Sequence, residues 1–273
     1  HLTGRYFAIE LYPFSFREFL SAKDIENDPK KNNEYELLKT FKNYMTEGGF
    51  PEHVNWEDSE YLKRVYEDVM YKDILVKQNI RETKSFRQLS DYLFTNIAKE
   101  TSYNSLMKTL GFKTVTSMKQ YIHFLQNSYL LFELYKYDHS LKKQYVSNKK
   151  VYCIDNGVRN TIAFSTGSDQ GRLLENLVFL ELKRQGHEIY YFKNRGECDF
   201  IIKEKNKITR AIQVCIMLHD KNRERELTGL KETSEILNVK ERLILTMEQE
   251  GELQDDYGKI VITPVFKWLL QRI

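Results

Sequence analysis

Apolar residues in the last hundred positions of the chain switch between a helical and a strand spacing. Between residues 172 and 185 they recur every three or four positions, which predicts a helix that ends at Gly186. Shorter apolar runs separated by turn residues predict strands. The further predicted elements are strands over 189–193, 198–203, 208–217, 242–246 and 261–263, helices over 223–237 and 265–272, and an acidic loop over Gly251–Gly258. The sequence therefore predicts a mixed α/β fold whose C-terminal part has the order α-β-β-β-α-β.

Three helical patterns followed by a strand occupy the middle of the chain. Helices are predicted over 85–96, 102–110 and 116–128, with Gly111 in the turn between the second and the third. A strand over 129–137 follows. Two helices joined by a short turn and followed by a β-hairpin are typical of a winged helix-turn-helix, in which the helix after the turn is the recognition helix.

The predicted recognition helix offers polar positions suited to phosphates or base edges. These positions are Thr114, Thr116, Ser117, Lys119 and Gln120. Winged helices also serve as packing or docking modules, and this helix carries a single lysine. Both interpretations, contact with DNA and contact with protein, therefore stay open.

The N-terminal part of the chain is predicted to be mainly helical. Ser15 is a suitable cap for a short helix, and the pair Gly48–Gly49 is a suitable helix stop. The predicted elements are a strand over 6–11, a helix from Ser15 through Leu20, a loop over 21–33, and helices over 34–46 and 59–79.

Charge is distributed unevenly along the 273 residues. Residues 81–150 hold twelve Lys or Arg and five Asp or Glu, a local charge of +7, so the remainder carries −4 of the net +3. A basic middle region is a candidate nucleic-acid footprint, to which Lys142 and Lys143 would belong. The alternative is a lysine-rich surface that only water contacts.

Cysteine spacing and hydropathy indicate the redox environment of the protein and whether it associates with a membrane. The three cysteines, Cys153, Cys198 and Cys215, have no metal-ligand spacing, which suits a reducing cytoplasm. No apolar stretch approaches the roughly 18 residues of a membrane span, so we expect no membrane association.

Two neighbouring segments carry candidate chemistry. They are Glu197-Cys198-Asp199-Phe200 and Ala211-Ile212-Gln213-Val214-Cys215. Their pattern resembles the core of PD-(D/E)xK nucleases, in which position 215 would normally be lysine. With Glu175 on the preceding helix, Asp199 and Gln213 could supply oxygen ligands to Mg²⁺, with Glu175 and Asp199 as the metal carboxylates. Cys215 cannot supply the missing ammonium group.

Two interpretations of this set remain. Glu175, Asp199, Gln213 and Cys215 are either a vestigial site whose polar groups stabilise the core, or an active Mg²⁺-dependent nuclease site. In the second case, Lys203 or Lys207 could replace the missing lysine.

An ordered set of short motifs resembles a prokaryotic AAA-type ATPase family with a C-terminal domain of unknown function. The motifs are Gly4-Arg5-Tyr6, Leu11-Tyr12-Pro13-Phe14-Ser15-Phe16-Arg17-Glu18-Phe19, Gly48-Gly49-Phe50-Pro51-Glu52, Tyr152-Cys153-Ile154-Asp155-Asn156-Gly157, Leu174-Glu175-Asn176-Leu177-Val178, Glu197-Cys198-Asp199-Phe200, Gln213-Val214-Cys215 and Arg225-Glu226-Leu227. The resemblance implies an ATPase with a winged helix and a restriction-endonuclease-like C-terminal domain. The chain has no G-x-x-x-x-G-K-[ST] motif, so we expect ATP to bind only in the intact protein.

Three regions and three functional hypotheses follow. Residues 1–58 would be a remnant of the ATPase core with lid helices, 59–147 a helical segment with the winged helix, and 148–273 the nuclease-like domain. The leading hypothesis is a non-enzymatic, cytoplasmic C-terminal fragment that binds DNA or a partner, without a cofactor of its own. The alternatives are a Mg²⁺-dependent nuclease and a protein-interaction module. The expected partners are DNA, the ATPase core and further copies of the chain.

Overall fold

A computed structural model describes residues 9–26, 33–56, 58–164 and 169–271. The fold is a mixed α/β arrangement with a helical N-terminal part, a three-stranded sheet and a six-stranded sheet, which confirms the predicted fold class. None of the helices among the described residues combines the length and apolar character that crossing a bilayer requires.

The N-terminal part is helical. Ser15 caps the first helix with a reciprocal capping box that includes Glu18. Of the strand predicted over 6–11, residues 6–8 lie outside the described residues and residues 9–11 form no strand; of the loop predicted over 21–33, residues 27–32 lie outside. The elements are α1 (Phe16–Ala22), α2 (Glu34–Glu47), α3 (Pro51–Trp56) and α4 (Ser59–Asp68), the last continued by a π-helix (Val69–Val76).

The next part has the helix–strand–helix–helix–strand–strand order of a winged helix. Its sheet has the strand order β1-β3-β2, and both pairings are antiparallel. The elements are α5 (Thr83–Thr95), β1 (Glu100–Thr101), α6 (Tyr103–Leu110), α7 (Val115–Asn127), β2 (Leu131–Tyr135), α8 (Leu141–Val146) and β3 (Lys149–Cys153).

Two features of this part differ from the sequence expectation. β2 and β3 are joined through the helix α8 and not by a tight hairpin turn. The polar sequence around α8 gave no apolar periodicity from which a helix could be predicted. β3 also belongs to the winged-helix sheet, so the boundary predicted at residue 148 falls between two paired strands.

The C-terminal part follows the predicted order α-β-β-β-α-β. A helix, α9, connects it to the winged helix. The elements are α9 (Asn156–Ile162), α10 (Gln170–Arg184), β4 (Glu188–Lys193), β5 (Glu197–Glu204), β6 (Lys207–Val214), α11 (Asp220–Leu237), β7 (Glu241–Thr246), β8 (Gly251–Asp255), β9 (Gly258–Pro264) and α12 (Val265–Leu270). The six strands have the order β4-β5-β6-β7-β9-β8, antiparallel from β4 to β6 and parallel from β6 through β7 to β9.

The loop predicted over Gly251–Gly258 was wrong, because β8 forms an antiparallel hairpin with β9 at the edge of the sheet. Its side chains are half-buried or exposed in alternation. An edge strand with so little buried surface can be largely polar, and it therefore lacks the apolar signal by which strands are predicted.

Alternating faces of β6 contact two separate cores. Ile212 and Val214 join the large core that includes α10, while Ala211 and Cys215 join a smaller core that includes Leu230 of α11. The sheet is therefore buried on both faces. At its other edge, the backbone of Tyr137 donates a hydrogen bond to the carbonyl of Tyr191, which joins the winged helix to β4.

Candidate functional site

An acidic cleft of about 670 Å³ lies between the first helix of the C-terminal part and the carboxyl end of β6. α10 contributes Glu175 to its wall, β5 contributes Glu197 and Asp199, β6 contributes Gln213, and α11 contributes Glu226. The order of elements explains this convergence, because β5 and β6 are paired and α10 and α11 cover opposite faces of them.

The ammonium group of Lys150 lies where three of these carboxylates meet. Its Nζ is 2.9 Å from Oε1 of Glu175, 2.7 Å from Oε1 of Glu197 and 2.8 Å from Oδ1 of Asp199. The side chain of Lys150 is only 2% exposed, so the carboxylates replace its hydration shell. The structure thus brings Glu175 and Asp199 together around a lysine that comes from β3 of the winged helix.

Proton binding in this cluster follows from burial and from the shared lysine. Burial, reinforced by the charge of Asp199, raises the pKa of Glu175 to about 8. Burial also raises the pKa of Asp199, although Lys150 opposes the shift. Burial would raise the pKa of Glu197 too, but the ammonium groups of Lys150 and Lys193 hold it below its ordinary value.

Lys150 itself remains charged. Burial alone would lower its pKa, but the charges of Asp199 and Glu175 outweigh burial, and the pKa lies well above its usual range. The site is therefore a buried cation in contact with Glu197, Asp199 and a Glu175 side chain that is mostly protonated at pH 7.

Gln213 joins the neighbouring elements to this cluster. Its Oε1 accepts a hydrogen bond from the backbone N–H of Asp199 at 3.3 Å, and its Nε2 donates to Oε2 of Glu226 at 2.7 Å. The second oxygen of Asp199 accepts from the backbone N–H of Val214 at 2.9 Å. Gln213 therefore ties β6 to β5 and α11.

The residues of the cleft do not fit Mg²⁺ while Lys150 is in place. Oε1 of Glu175 and Oδ1 of Asp199 already contact the Lys150 ammonium group, and this cation would repel a metal ion bound beside it. Among the residues that the structure describes, no group of three or more His, Cys, Asp or Glu side chains is arranged to hold a metal.

Neither Cys215 nor the two lysines considered as replacements, Lys203 and Lys207, supplies the cation that a nuclease would need at position 215. Cys215 is buried, and burial raises the pKa of its thiol to about 12, so the thiol is neutral at pH 7. Lys203 bonds Glu188 at 2.7 Å, and Lys207 opens β6 at an exposed position. The register of β5 and β6 places both lysines at the opposite end of these strands from Asp199 and Gln213.

The sequence analysis missed Lys150, although a signal for it was present. Lys149 and Lys150 precede the apolar run Val151–Ile154 and lie in a strand whose residues are all buried. Lysine is almost never fully buried without a partner. A lysine in a buried strand therefore indicates a carboxylate partner elsewhere in the chain, but the sequence does not identify that partner.

The second candidate surface is the exposed side of α7. Thr116, Lys119 and Gln120 are exposed, and His123, which the sequence analysis did not single out, continues the same side of the helix. Ser117 is half-buried, and its backbone N–H donates to the side chain of Thr114, the N-cap of α7. Of the five predicted polar residues, three therefore lie on the exposed side of α7. The other two, Thr114 and Ser117, form the hydrogen bond that caps the helix.

Lys142 and Lys143 lie on α8, where both are exposed. The local excess of positive charge at the surface is smaller than the sequence count of +7, because Lys149 and Lys150 are buried. Lys119, Lys142 and Lys143 remain available to a ligand, together with Lys113 in the turn before α7.

Glu175→Gln should flatten the dependence of stability on pH. The pKa of Glu175 rises from an ordinary value of 4.5 to about 8 on folding. Between these pH values the unfolded chain releases the proton and the folded protein keeps it, so the free energy of unfolding falls as pH rises. Glutamine can still accept from Lys150 and from the Tyr152 hydroxyl.

Urea unfolding of both proteins between pH 5 and pH 8.5 measures this effect. The wild type should lose more stability than Glu175→Gln over this interval. Parallel curves would show that Glu175 does not change its proton binding on folding.

Comparison with known proteins relates the chain to families without an established function. Residues 38–169 match a family model described as a domain of unknown function (DUF8612), and residues 170–267 match a second one (DUF4143). The boundary between the two matches falls at the start of α10, so β3 and its lysines lie in the first and the other acidic-cleft residues in the second.

Two uncharacterised proteins are similar to nearly the whole chain. One, from Methanocaldococcus jannaschii, is 33% identical over 98% of the chain and 64% of its own length. The other, from Haemophilus influenzae, is 26% identical over 99% of the chain and 66% of its own length. The chain therefore spans less than two thirds of either relative.

Proposed function

We propose that this chain is a nucleic-acid-binding module that does not cleave its ligand. The observation that carries the proposal is the position of the Lys150 ammonium group among Glu175, Glu197 and Asp199. In the nuclease interpretation, Glu175 and Asp199 would hold the metal ion that activates water and polarises the phosphate, and Lys150 bonds both of these residues.

The same strand also supports the binding surface. Lys149, the neighbour of Lys150 on β3, donates hydrogen bonds to the carbonyls of Gln144 and Tyr145 at 3.0 Å, at the C-terminal end of α8. The ion pairs of Lys150 connect β3 to the acidic cleft, and the hydrogen bonds of Lys149 connect α8 to β3. The nuclease-like part would thus act as a rigid support that presents α7 and α8.

Nucleic acid is the ligand that fits the presented side chains. The exposed side of α7 combines a lysine, two hydrogen-bonding side chains and a histidine, which suits a helix in a major groove. Lys142 and Lys143 on α8 extend the positive charge to the position of the wing, where phosphates are contacted in winged-helix complexes.

Coupling to ATP hydrolysis in a longer protein is part of the proposal. The ordered motifs that resemble an AAA-type ATPase family support it, as does the greater length of both relatives. An ATPase core in the intact protein would then move this module together with its bound nucleic acid.

A protein-binding role is the second candidate, because α8 also exposes Leu141 and Val146, with 64% and 76% of their surface accessible.

Fluorescence anisotropy with a labelled 20-base-pair duplex distinguishes nucleic-acid binding from protein binding. Binding that weakens steeply as salt rises from about 50 to 200 mM supports nucleic acid. Absence of binding at the lower salt concentration rules out the nucleic-acid-binding function.

A further inference from the structure

The helix α8 occupies the position of the wing and exposes most of its surface. None of its residues is buried, and the side chain of Tyr145 is 60% exposed between the exposed residues Leu141 and Val146. Lys142 and Lys143 lie on the same helix, and no Asp or Glu occurs from His139 to Ile154. The ring of Tyr145 is thus exposed to solvent within a segment that carries basic side chains and no acidic ones.

This helix is held firmly despite its exposure. The buried ammonium group of Lys149 bonds the carbonyls of Gln144, Tyr145 and Ser147. The ring of Tyr145 meets the ring of Tyr135 edge-on, with 6.2 Å between centroids. A ligand that contacts Tyr145 therefore finds a ring that is already positioned, and little conformational entropy is lost on binding.

A continuous band of rings and ammonium groups connects α8 to the recognition helix. Lys149 lies 4.8 Å from the ring centroid of Tyr135 and 5.7 Å from that of Tyr103. Lys119 of α7 lies 5.0 Å from the same Tyr103 ring. The band runs from Tyr145 on α8 to Lys119 on the exposed side of α7.

A ring beside a duplex-reading helix suits a base that is not paired. Stacking on aromatic side chains is how proteins hold unpaired bases, because every base has a flat π-face whatever its sequence. The edges of stacked base pairs in a duplex offer no such face to Tyr145, whereas an unpaired base in the strand that leaves the duplex does.

We propose that the module binds duplex–single-strand junctions, with α7 on the duplex and Tyr145 stacked on the first unpaired base. The inference rests on the proposed nucleic-acid function and names its substrate class. The lysines of α8 would contact phosphates of the duplex next to the junction, which both a blunt and an extended substrate present.

The test compares two labelled DNA hairpins that have the same stem closed by a non-nucleotide linker, one with a blunt end and one with a single-stranded extension of eight nucleotides. Fluorescence anisotropy at one salt concentration should give an affinity about 5- to 100-fold higher for the extended hairpin, the range expected from stacking one base. Tyr145→Ala should remove this preference, and Tyr145→Phe, which retains the ring, should keep it.

Two controls make the result specific. Tyr257→Ala removes another exposed tyrosine, in the turn between β8 and β9 at the far edge of the large sheet, and should leave the preference intact. Lys142→Gln should weaken binding to both hairpins by a similar factor. Circular dichroism checks that every variant is folded.

Equal affinity of the wild type for both hairpins would overturn the junction inference and leave duplex binding standing. So would a Tyr145→Ala variant that keeps the preference. Failure to bind either hairpin would overturn the proposed function together with this inference.

Discussion

Replacing Lys150 by methionine should lower the free energy of unfolding by about 3–5 kcal/mol. Methionine has a similar length but no charge, so Glu175, Glu197 and Asp199 would lose the cation that they share within 3 Å. Glu175 already holds a proton at pH 7, so Glu197 and Asp199 would be left as neighbouring charges without a counter-charge, and one of them must take up a proton or move into water. Urea unfolding at pH 7 measures the loss.

A double variant and a surface control show whether charge is the cause. Lys150→Met with Asp199→Asn removes one of the unpaired charges and should recover part of the lost stability. Lys142→Met, at an exposed position on α8, should change stability by no more than about 0.5 kcal/mol. A loss below about 1 kcal/mol for Lys150→Met would contradict the role assigned to the cluster.

Reversing the charge of Lys113, Lys119, Lys142 and Lys143 to glutamate should lower the affinity for duplex DNA by at least about 100-fold. Each lysine that contacts a phosphate releases counterions on binding, so losing four contacts should also reduce the slope of log affinity against log salt by about 3 to 4. Anisotropy titrations between 50 and 200 mM salt measure both quantities.

The matched control reverses four exposed lysines that lie outside the winged helix. They are Lys205, Lys207, Lys221 and Lys240. This variant has the same net charge as the first, so it separates local contacts from the overall field of the protein. An equal loss of affinity in both variants would mean that α7 and α8 do not form the binding surface.

The order α10-β4-β5-β6-α11-β7 could be predicted from the sequence because α10 and the strands bury apolar residues, and α11 packs Leu227, Leu230 and Leu237 against the smaller core. The strands β5 and β6 show this best, since their inward positions are occupied almost without interruption. Elements with little buried surface escaped prediction: β1 has two residues, β8 is a half-exposed edge strand, and α8 buries no residue.

The candidate site was predictable only in part, for a physical reason. Glu197 and Asp199 lie two positions apart on one strand, so their common side follows from strand geometry. Lys150 reaches them from 49 positions upstream of Asp199, across the contact between two sheets. No local spacing encodes that contact, and the strand pairing that creates it depends on the whole fold.

Lys150 therefore changes the interpretation of the cysteine that stands at position 215 in place of the expected lysine. Considered alone, the absence of lysine at position 215 leaves an incomplete nuclease site that an outside lysine could complete. In the structure, a lysine does arrive, but it bonds the carboxylates directly. The cluster then joins β3 to α10 and β5, which is a structural role.

The most direct test of this account incubates the chain with labelled junction DNA in the presence of Mg²⁺ and, separately, Mn²⁺. One half of each sample is run on a native gel to detect binding, and the other on a denaturing gel to detect cleavage. The account predicts a shifted band on the native gel and intact DNA on the denaturing gel with either metal. Metal-dependent cleavage that disappears in an Asp199→Ala variant would contradict it.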